Sequence, residues 1–301
     1  MLIISSYILT KRSITMAKIS ILTPIYKPNP SHLKQAIESI LNQTFKDFEF
    51  ILLNDCPEDK TSKKIITSYK DPRIKYYQNP QNLGISESRN KLIKLSTTNY
   101  LAIFDHDDIA LPNRLYEQYN FLKTHKDYGV VGSNFIYLNK HTNKLKTLPQ
   151  SNTEIKQSLL KQMPMLHPSL MIKKSILIKH NIKYDKSYFP TEDYALLKDL
   201  MDKTKFYNLK TPLVYYRNHS SNTSSKYHHL MLLKDTQIKK ELQQKNPKLY
   251  QKISSSKIIT TRFKLFNIIL LLTIKDLKIL KEYYLFGKIK LLSIRTKTTY
   301  L

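Results

Sequence analysis

Between Lys18 and Thr124, short apolar runs alternate with amphipathic segments, and this alternation restricts the fold more than any other feature of the chain. Residues 18–25, 48–53, 74–77 and 100–104 are rich in Ile, Leu, Phe and Tyr, which predicts strands. Helical spacing follows each of them, over 32–42, 61–69, 85–95 and 115–124, the first capped by Ser31 and the last entered through Pro112. Strand and helix thus alternate four times in about 110 residues, which implies a parallel sheet covered by helices on both faces. Crossovers of one hand bring the strand ends at Tyr26, Asn54 and Asp105 to a common edge. Ligands of open α/β sheets bind outside that carboxyl edge.

The fourth apolar run ends in Asp105-His106-Asp107-Asp108. Carboxylates this close repel unless a positive charge sits among them, and a hard divalent cation with oxygen ligands is the natural partner. Such a cation in turn holds a diphosphate. The competing reading is an acidic turn that caps the following helix. Only four glycines are present, so neither a G-x-G-x-x-G turn nor a P-loop can be built. A nucleotide here would be held through a metal on carboxylates rather than by a glycine cradle.

Beyond residue 130 the pattern loosens. Strands are expected over 128–138 and 169–172, the second following His167-Pro168, then a helix over 193–201 and an outer strand over 212–216. This half should be mixed and should build the second wall of the cleft. From His229 the chain reads as helical and basic, with roughly sixteen Lys and Arg against four acids from Leu230 onward. Its most apolar part, 263–274, is expected to be an amphipathic helix too short to span a bilayer, lying either in a membrane interface or on the catalytic domain. The apolar first residues carry Lys11 and Arg12 after their apolar part, unlike a secretory leader, and Met16 is a plausible start. A single cysteine, Cys56, excludes an intramolecular disulfide and fits a reducing, cytoplasmic setting. The net charge of +27 attracts polyanions, although Lys enrichment runs through the whole chain and weakens that inference.

Several segments occur in a telling order: 19–26, Ser39-Ile40-Leu41-Asn42-Gln43-Thr44, Asn54-Asp55, Asn82-x-Gly84 to Arg89-Asn90, Asp105 to Asp108, and Glu192-Asp193. The set resembles the family 2 glycosyltransferases over roughly residues 19–225. The runs His167-Pro168-Ser169, Thr191-Glu192-Asp193-Tyr194 and Tyr216-Arg217-Asn218-His219 resemble bacterial enzymes that add galactose or N-acetylhexosamine to lipooligosaccharide or capsule. The resemblance implies a GT-A fold, an α/β Rossmann-like and mostly parallel sheet flanked by helices, over residues 16–226, with a basic helical extension over 227–301. It implies an inverting transferase that uses a UDP-sugar with Mn²⁺ or Mg²⁺ and a glycan or lipid-linked glycan acceptor. An anionic membrane surface, the inner face of the cytoplasmic membrane, is the expected location, and nucleic acid is not an expected partner.

The resemblance also distributes roles. Asp107 is the first choice as metal ligand, with Asp105 on the ribose or the ion, Asp108 assisting and His219 as a further ligand. Asp193 takes the position of the base that deprotonates the acceptor, with Glu192 as the fallback. For that pair the competing reading is an acidic first turn that complements a helix dipole. Pro24, Tyr26 and Asn54 match positions around the nucleobase, Asn54 standing where the family usually has Asp. Gly84 and Arg89 match a loop near the nucleotide, with Arg89 either on phosphate or paired with Asp105. Arg217 and His219 would meet the diphosphate when a loop over 218–225 closes. His106 reads as a spacer or a supporting group, and His167 as acceptor-facing or as a satisfied core residue. Two other functions remain open at this stage. A nucleic-acid-binding protein would suit the charge, but no RNP, zinc-finger or helix-turn-helix signature is present. A sugar nucleotidyltransferase would need a glycine-rich phosphate loop after the first strand, where Lys27-Pro28-Asn29-Pro30 stands.

Overall fold

The computed structural model describes residues 17–138, 143–218 and 223–259, with four short strand segments between 263 and 290. They fall into two compact units, divided between Lys245 and Asn246. The first unit opens with the expected alternation: β1 (Ile19–Ile25), α1 (Pro30–Leu41), β2 (Phe48–Asn54), α2 (Lys60–Ser68), β3 (Ile74–Gln78), α3 (Ile85–Leu95) and β4 (Tyr100–Ile103). β1 pairs in parallel with β2 on one side and β4 on the other, and β3 extends the sheet beyond β2. Every residue of β1 and β2 is buried, as strands covered on both faces must be. Ile19, Ile21 and Ile25 share one core with Leu33, Ile37 and Ile40 of α1 and Phe50 and Leu52 of β2.

The helix α1 starts earlier than its spacing predicts. Its cap is Asn29 rather than Ser31, with Asn29 Oδ1 accepting from Ser31 N at 2.9 Å and His32 N at 3.3 Å. Pro30 explains the shift, because at the first helical position its missing N–H is no loss.

The chain continues through β5 (Ile109–Ala110), α4 (Arg114–Thr124), β6 (Tyr128–Leu138), β7 (Lys144–Lys146), α5 (Asn152–Leu159), β8 (Met171–Lys173), α6 (Lys174–Lys179), α7 (Glu192–Leu200), β9 (Lys205–Arg217), α8 (Thr223–Lys226) and α9 (His228–Lys245). The nine-stranded sheet runs β3-β2-β1-β4-β8-β6-β9-β5, with β7 added to β6. β8 is antiparallel to both its neighbours, so the second half is mixed, as expected. The strand expected over 212–216 is instead the end of the longer β9, which lies between β6 and β5 rather than outermost. Pro212 has no N–H to give to a ladder. It is accommodated at a bulge: Ser133 lies opposite Leu209 and Asn134 opposite Pro212, while Asn134 Nδ2 donates to Lys210 O at 2.8 Å. Ser169 lies in a 3₁₀ turn over His167–Ser169, so β8 begins two residues later than expected.

The first unit also extends past the boundary expected after residue 226. α9 packs on α7 with Ile238 and Leu242 buried, and Lys198 Nζ reaches Glu241 Oε2 at 2.8 Å. The second unit contains α10 (Pro247–Ile259) and a two-stranded pair, Phe263–Leu265 with Ile268–Leu270. That pair replaces the start of the helix expected over 263–274, in line with the strand preference of the β-branched Ile268 and Ile269. Among the described residues no helix is long and apolar enough to cross a membrane.

The strand order positions the site. β2 and β3 lie to one side of β1 and β4 to the other, so the connection reverses between β1 and β4 and leaves a crevice at their carboxyl ends. Pro24 helps to open it. Leu22 O accepts Phe104 N at 3.1 Å, the last bond of that ladder, and the β1–β4 pairing ends at Leu22 opposite Ile103. Two residues on, Pro24 has no N–H to extend the pairing.

Candidate active site

Asp105 to Asp108 form the turn between β4 and β5, at the reversal of strand order. Residues from two directions, the end of α1 and the end of β9, hold this turn and the segment that follows it. Ser39 Oγ accepts Ala110 N at 3.1 Å, Gln43 Nε2 donates to Leu111 O at 2.8 Å, and Gln43 Oε1 accepts Leu115 N at 3.1 Å. The Ser39-to-Thr44 motif thus serves as a bracket for the acid turn. From β9, Arg217 N donates to Asp108 Oδ1 at 2.9 Å, while its Nε donates to Asp107 O at 2.8 Å and its Nη2 to Gln35 Oε1 at 2.7 Å. Arg217, expected to meet a diphosphate, here grips the main chain of the acid turn.

The three aspartates differ in setting. Asp105 and Asp107 keep 28% and 19% of their side-chain surface open, whereas Asp108 is buried. Burial pushes the Asp105 carboxyl up, Arg89 opposes it, and Asp107 adds to the rise. Asp108 is pushed well up, by burial first and then by Asp107 and Asp105. Arg114, fully buried at the start of α4, is pulled down to about 9 by burial and held up partly by Asp108 and Asp105. Its Nη2 donates to Ile103 O at 2.6 Å, so a cation lies beneath the end of β4.

These residues fit a divalent cation. The buried Asp108 Oδ2 has no hydrogen-bond partner among the described residues, and three carboxylates stand within one four-residue turn. No group of three or more His, Cys, Asp or Glu residues among the described residues forms a ready-made cage.

Beside the acid turn, joined to it through Arg89, stands the amino end of α7. Glu192 is buried and its Oε1 accepts Arg89 Nη1 at 2.6 Å. Arg89 Nη2 lies 3.6 Å from Asp105 Oδ1, so a single guanidinium spans both acids. Of the two alternatives for Arg89, the ion pair is the one formed here, and it includes Glu192 as well. Burial works against the Arg89 charge, but Glu192 and Asp105 more than offset it and hold its pKa above the ordinary value. Asp193 is only partly buried, and its Oδ1 accepts Tyr194 N at 2.8 Å. Burial first and Glu192 second push its carboxyl up to about 7, against the pull of Arg89.

On the β1–β2 side, Tyr26 is 47% exposed just past the end of β1, with Lys27 Nζ 5.3 Å from the centre of its ring. Asn54 is fully buried and spends its amide on the protein: Oδ1 accepts Cys56 N at 3.0 Å, and Nδ2 reaches Asp59 O at 3.4 Å and Tyr76 Oη at 3.3 Å. Asp55 organises the next loop, accepting Asn79 Nδ2 at 2.7 Å, Leu83 N at 2.8 Å and Gly84 N at 2.9 Å. Gly84 has φ +80° and ψ 166°, a conformation close to glycine-only, which explains the residue at this turn into α3. A shallow cavity of about 350 Å³ opens nearby, lined by Lys27, Pro28, Cys56 and Asp59 among others.

The histidines settle differently. His167 is a core residue: it is buried, its Nε2 lies 2.9 Å from Tyr184 Oη, and burial followed by Arg89 holds its pKa well below the usual value. His106 Nδ1 lies 3.9 Å from Asp107 Oδ1, beyond hydrogen-bond range. His219 lies outside the described residues. Gln43, Arg114 and Tyr184 shape the site without having been singled out. Gln43 was visible inside a motif, but nothing local marks Arg114 or Tyr184, whose importance comes from tertiary burial.

Known proteins resemble this chain in sequence and in fold. The family described as Glycosyl transferase family 2 matches residues 20–180. An uncharacterized glycosyltransferase of Methanocaldococcus jannaschii is 36% identical over 205 residues, covering 66% of this chain and 70% of that protein. The amylovoran biosynthesis glycosyltransferase AmsE of Erwinia amylovora is 30% identical over 186 residues, covering 60% and 69%. The crystal structure of S. aureus TarS 1–349 in complex with UDP-GlcNAc superposes with a TM-score of 0.60 at 17% identity, covering 81% of this chain and 76% of that one.

Proposed function

The chain belongs to glycosyl transferase family 2, and from that premise we propose that it is an inverting, metal-dependent enzyme that moves a hexose or N-acetylhexosamine from a UDP-sugar to a glycan acceptor. The observation that carries the reading is the approach of the Glu192-Asp193 end of α7 to the acid turn, at the reversal of strand order, with Arg89 bridging Asp105 and Glu192. Asp193 takes the proton from the acceptor hydroxyl as that oxygen attacks the anomeric carbon. The carbon–phosphate oxygen bond breaks on the opposite face, so the configuration inverts. With its pKa near neutrality, Asp193 is ionised often enough to act yet basic enough to accept a proton. Negative charge grows on the departing diphosphate, and a Mn²⁺ or Mg²⁺ ion held by Asp105 and Asp107 would neutralise it. Tyr26 stacks on the base. TarS has been crystallised with UDP-GlcNAc and with UDP, which supports a uridine donor. AmsE is named as a glycosyltransferase of amylovoran biosynthesis, which is in keeping with a biosynthetic transfer.

A screen of UDP- and GDP-sugars by thermal shift tests the donor. Saturation at about 100 times Kd contributes about 2.7 kcal/mol, and so an upward shift of several degrees. One UDP-sugar should give that shift with Mn²⁺ and lose it with chelator. A response to GDP-sugars alone, or to none, refutes the donor assignment.

We place the enzyme on an anionic membrane surface. Leu230, Leu232 and Leu233 of α9 are exposed next to Lys226 and Lys234, the apolar-plus-basic mixture that an interface selects. The protein should sediment with vesicles containing anionic lipid and stay in solution with purely zwitterionic ones. Equal partitioning in both cases rejects this location.

A further inference from the structure

We propose that Arg89 is a positioning residue that ties the base-bearing end of α7 to the acid end of β4, keeping the two halves of the transfer site in register. What the register serves rests on the functional reading above, whereas the tie itself rests on geometry alone. Arg89 leaves α3 with an 11% exposed side chain and reaches two acids from different segments, Glu192 at 2.6 Å and Asp105 at 3.6 Å. Its guanidinium also lies 5.4 Å from the centre of the Tyr184 ring. Tyr184 is a fixed support. Its main chain bonds in both directions to Asn90, the neighbour of Arg89, with Asn90 Nδ2 donating to Tyr184 O at 2.8 Å and Tyr184 N donating to Asn90 Oδ1 at 2.9 Å. Its hydroxyl meets His167 Nε2 at 2.9 Å.

Glu192 depends on this cation. It is buried, and its other oxygen, Oε2, has no hydrogen-bond partner among the described residues. The orientation of the first turn of α7, and with it the direction of Asp193, is therefore set from α3. The fork shape of arginine is what the tie needs: two nitrogens on one rigid plane serve two carboxylates, where a lysine presents a single point charge. Because misplacement of a reacting group by about 1 Å can cost about 100-fold in rate, a loosened tie should show in turnover rather than in donor binding.

The test combines three measurements on the full chain: amide exchange across residues 188–198, UDP–Mn²⁺ affinity by calorimetry, and UDP release from UDP-N-acetylglucosamine and UDP-galactose. In Arg89→Met, exchange in that peptide should rise about tenfold while distant peptides keep their protection. UDP affinity should stay within about threefold and kcat should fall about 100-fold, with Arg89→Lys recovering part of it. Glu192→Gln should loosen the same peptide, and the double variant should be no worse than either single one, as expected when two residues act as a unit. Unchanged exchange, an additive double variant, or a loss of UDP affinity with kcat intact overturns the proposal. If Arg89→Met does not fold, Arg89→Lys and Glu192→Gln carry the same comparison. If the wild-type protein releases UDP from neither sugar, the transfer reading is in question, and the exchange result still decides the tie.

Discussion

Asp193→Asn should lower turnover by about 10³-fold while leaving UDP binding unchanged, the scale expected when a general base is removed. The side chain keeps its shape, so the crevice and the Arg89–Glu192 pair remain. What is lost is the proton acceptor. The wild-type pH profile carries the same information. The base must be ionised, so kcat/KM should fall as pH drops through about 7, the point to which burial and Glu192 push this carboxyl. In the Asn variant that limb should disappear from the residual activity. Stability moves the other way. The unfolded carboxyl loses its proton near pH 4, while the folded one keeps it to about 7. Between those points the folded state binds more protons than the unfolded state, so stability falls as pH rises, and the loss is complete above the folded value. The Asn variant is free of that loss. It should melt at a higher temperature than wild type above neutrality and at a similar temperature near pH 4. An Asn variant with full turnover would remove Asp193 from the mechanism. One with a lowered melting temperature above neutrality would show that the carboxylate stabilises the fold.

Such a split between Glu192 and Asp193 is not visible in the chain itself. Two adjacent acids opening a helix look alike in sequence, and either could complement a helix dipole. Burial separates them: Glu192 turns inward to Arg89 from a segment about a hundred residues earlier, and Asp193 stays at the surface of the crevice. The parallel half of the sheet was legible, because its strands are short, largely apolar or aromatic runs bounded by helical spacing, and local pattern and global fold agree. The acid turn was legible for the same reason, since its place at the end of β4 follows from where the run stops. The antiparallel half was read less well. The strands β5 and β7 contain two and three residues, too few for any periodicity, and exist because β9 and β6 offer ladders to complete. The segment over 212–216 was read as a separate outer strand because a bulge made inside a long strand leaves no local signature. Asn54 shows the limit at single residues. Its place in the motif points to the nucleobase, yet a buried amide goes first to whichever main-chain groups lack partners, here Cys56 N.

Asp107→Ala should abolish the Mn²⁺-dependent stabilisation by UDP and lower turnover by at least about 10³-fold, because several kcal/mol of charge stabilisation on the departing diphosphate go with the ion. The fold should survive. The side chain is 19% exposed, and the grip of Arg217 on this residue is through the main-chain carbonyl, which alanine retains. Asp108 is the informative contrast: its Oδ1 holds Arg217 N at 2.9 Å from a buried position, so Asp108→Ala should disturb the turn itself and lower the melting temperature without any ligand. Chelation of the wild-type enzyme should reproduce the Asp107→Ala phenotype, and added Mn²⁺ should reverse the chelated state but not the variant. Without an ion nothing offsets the repulsion between the acid turn and an incoming diphosphate, so the free nucleotide should bind weakly. If Asp107→Ala works at full rate in the presence of chelator, the acid turn is no metal site. The positive charge that the diphosphate needs would then have to come from side chains such as Arg217, released from its present hold on Gln35.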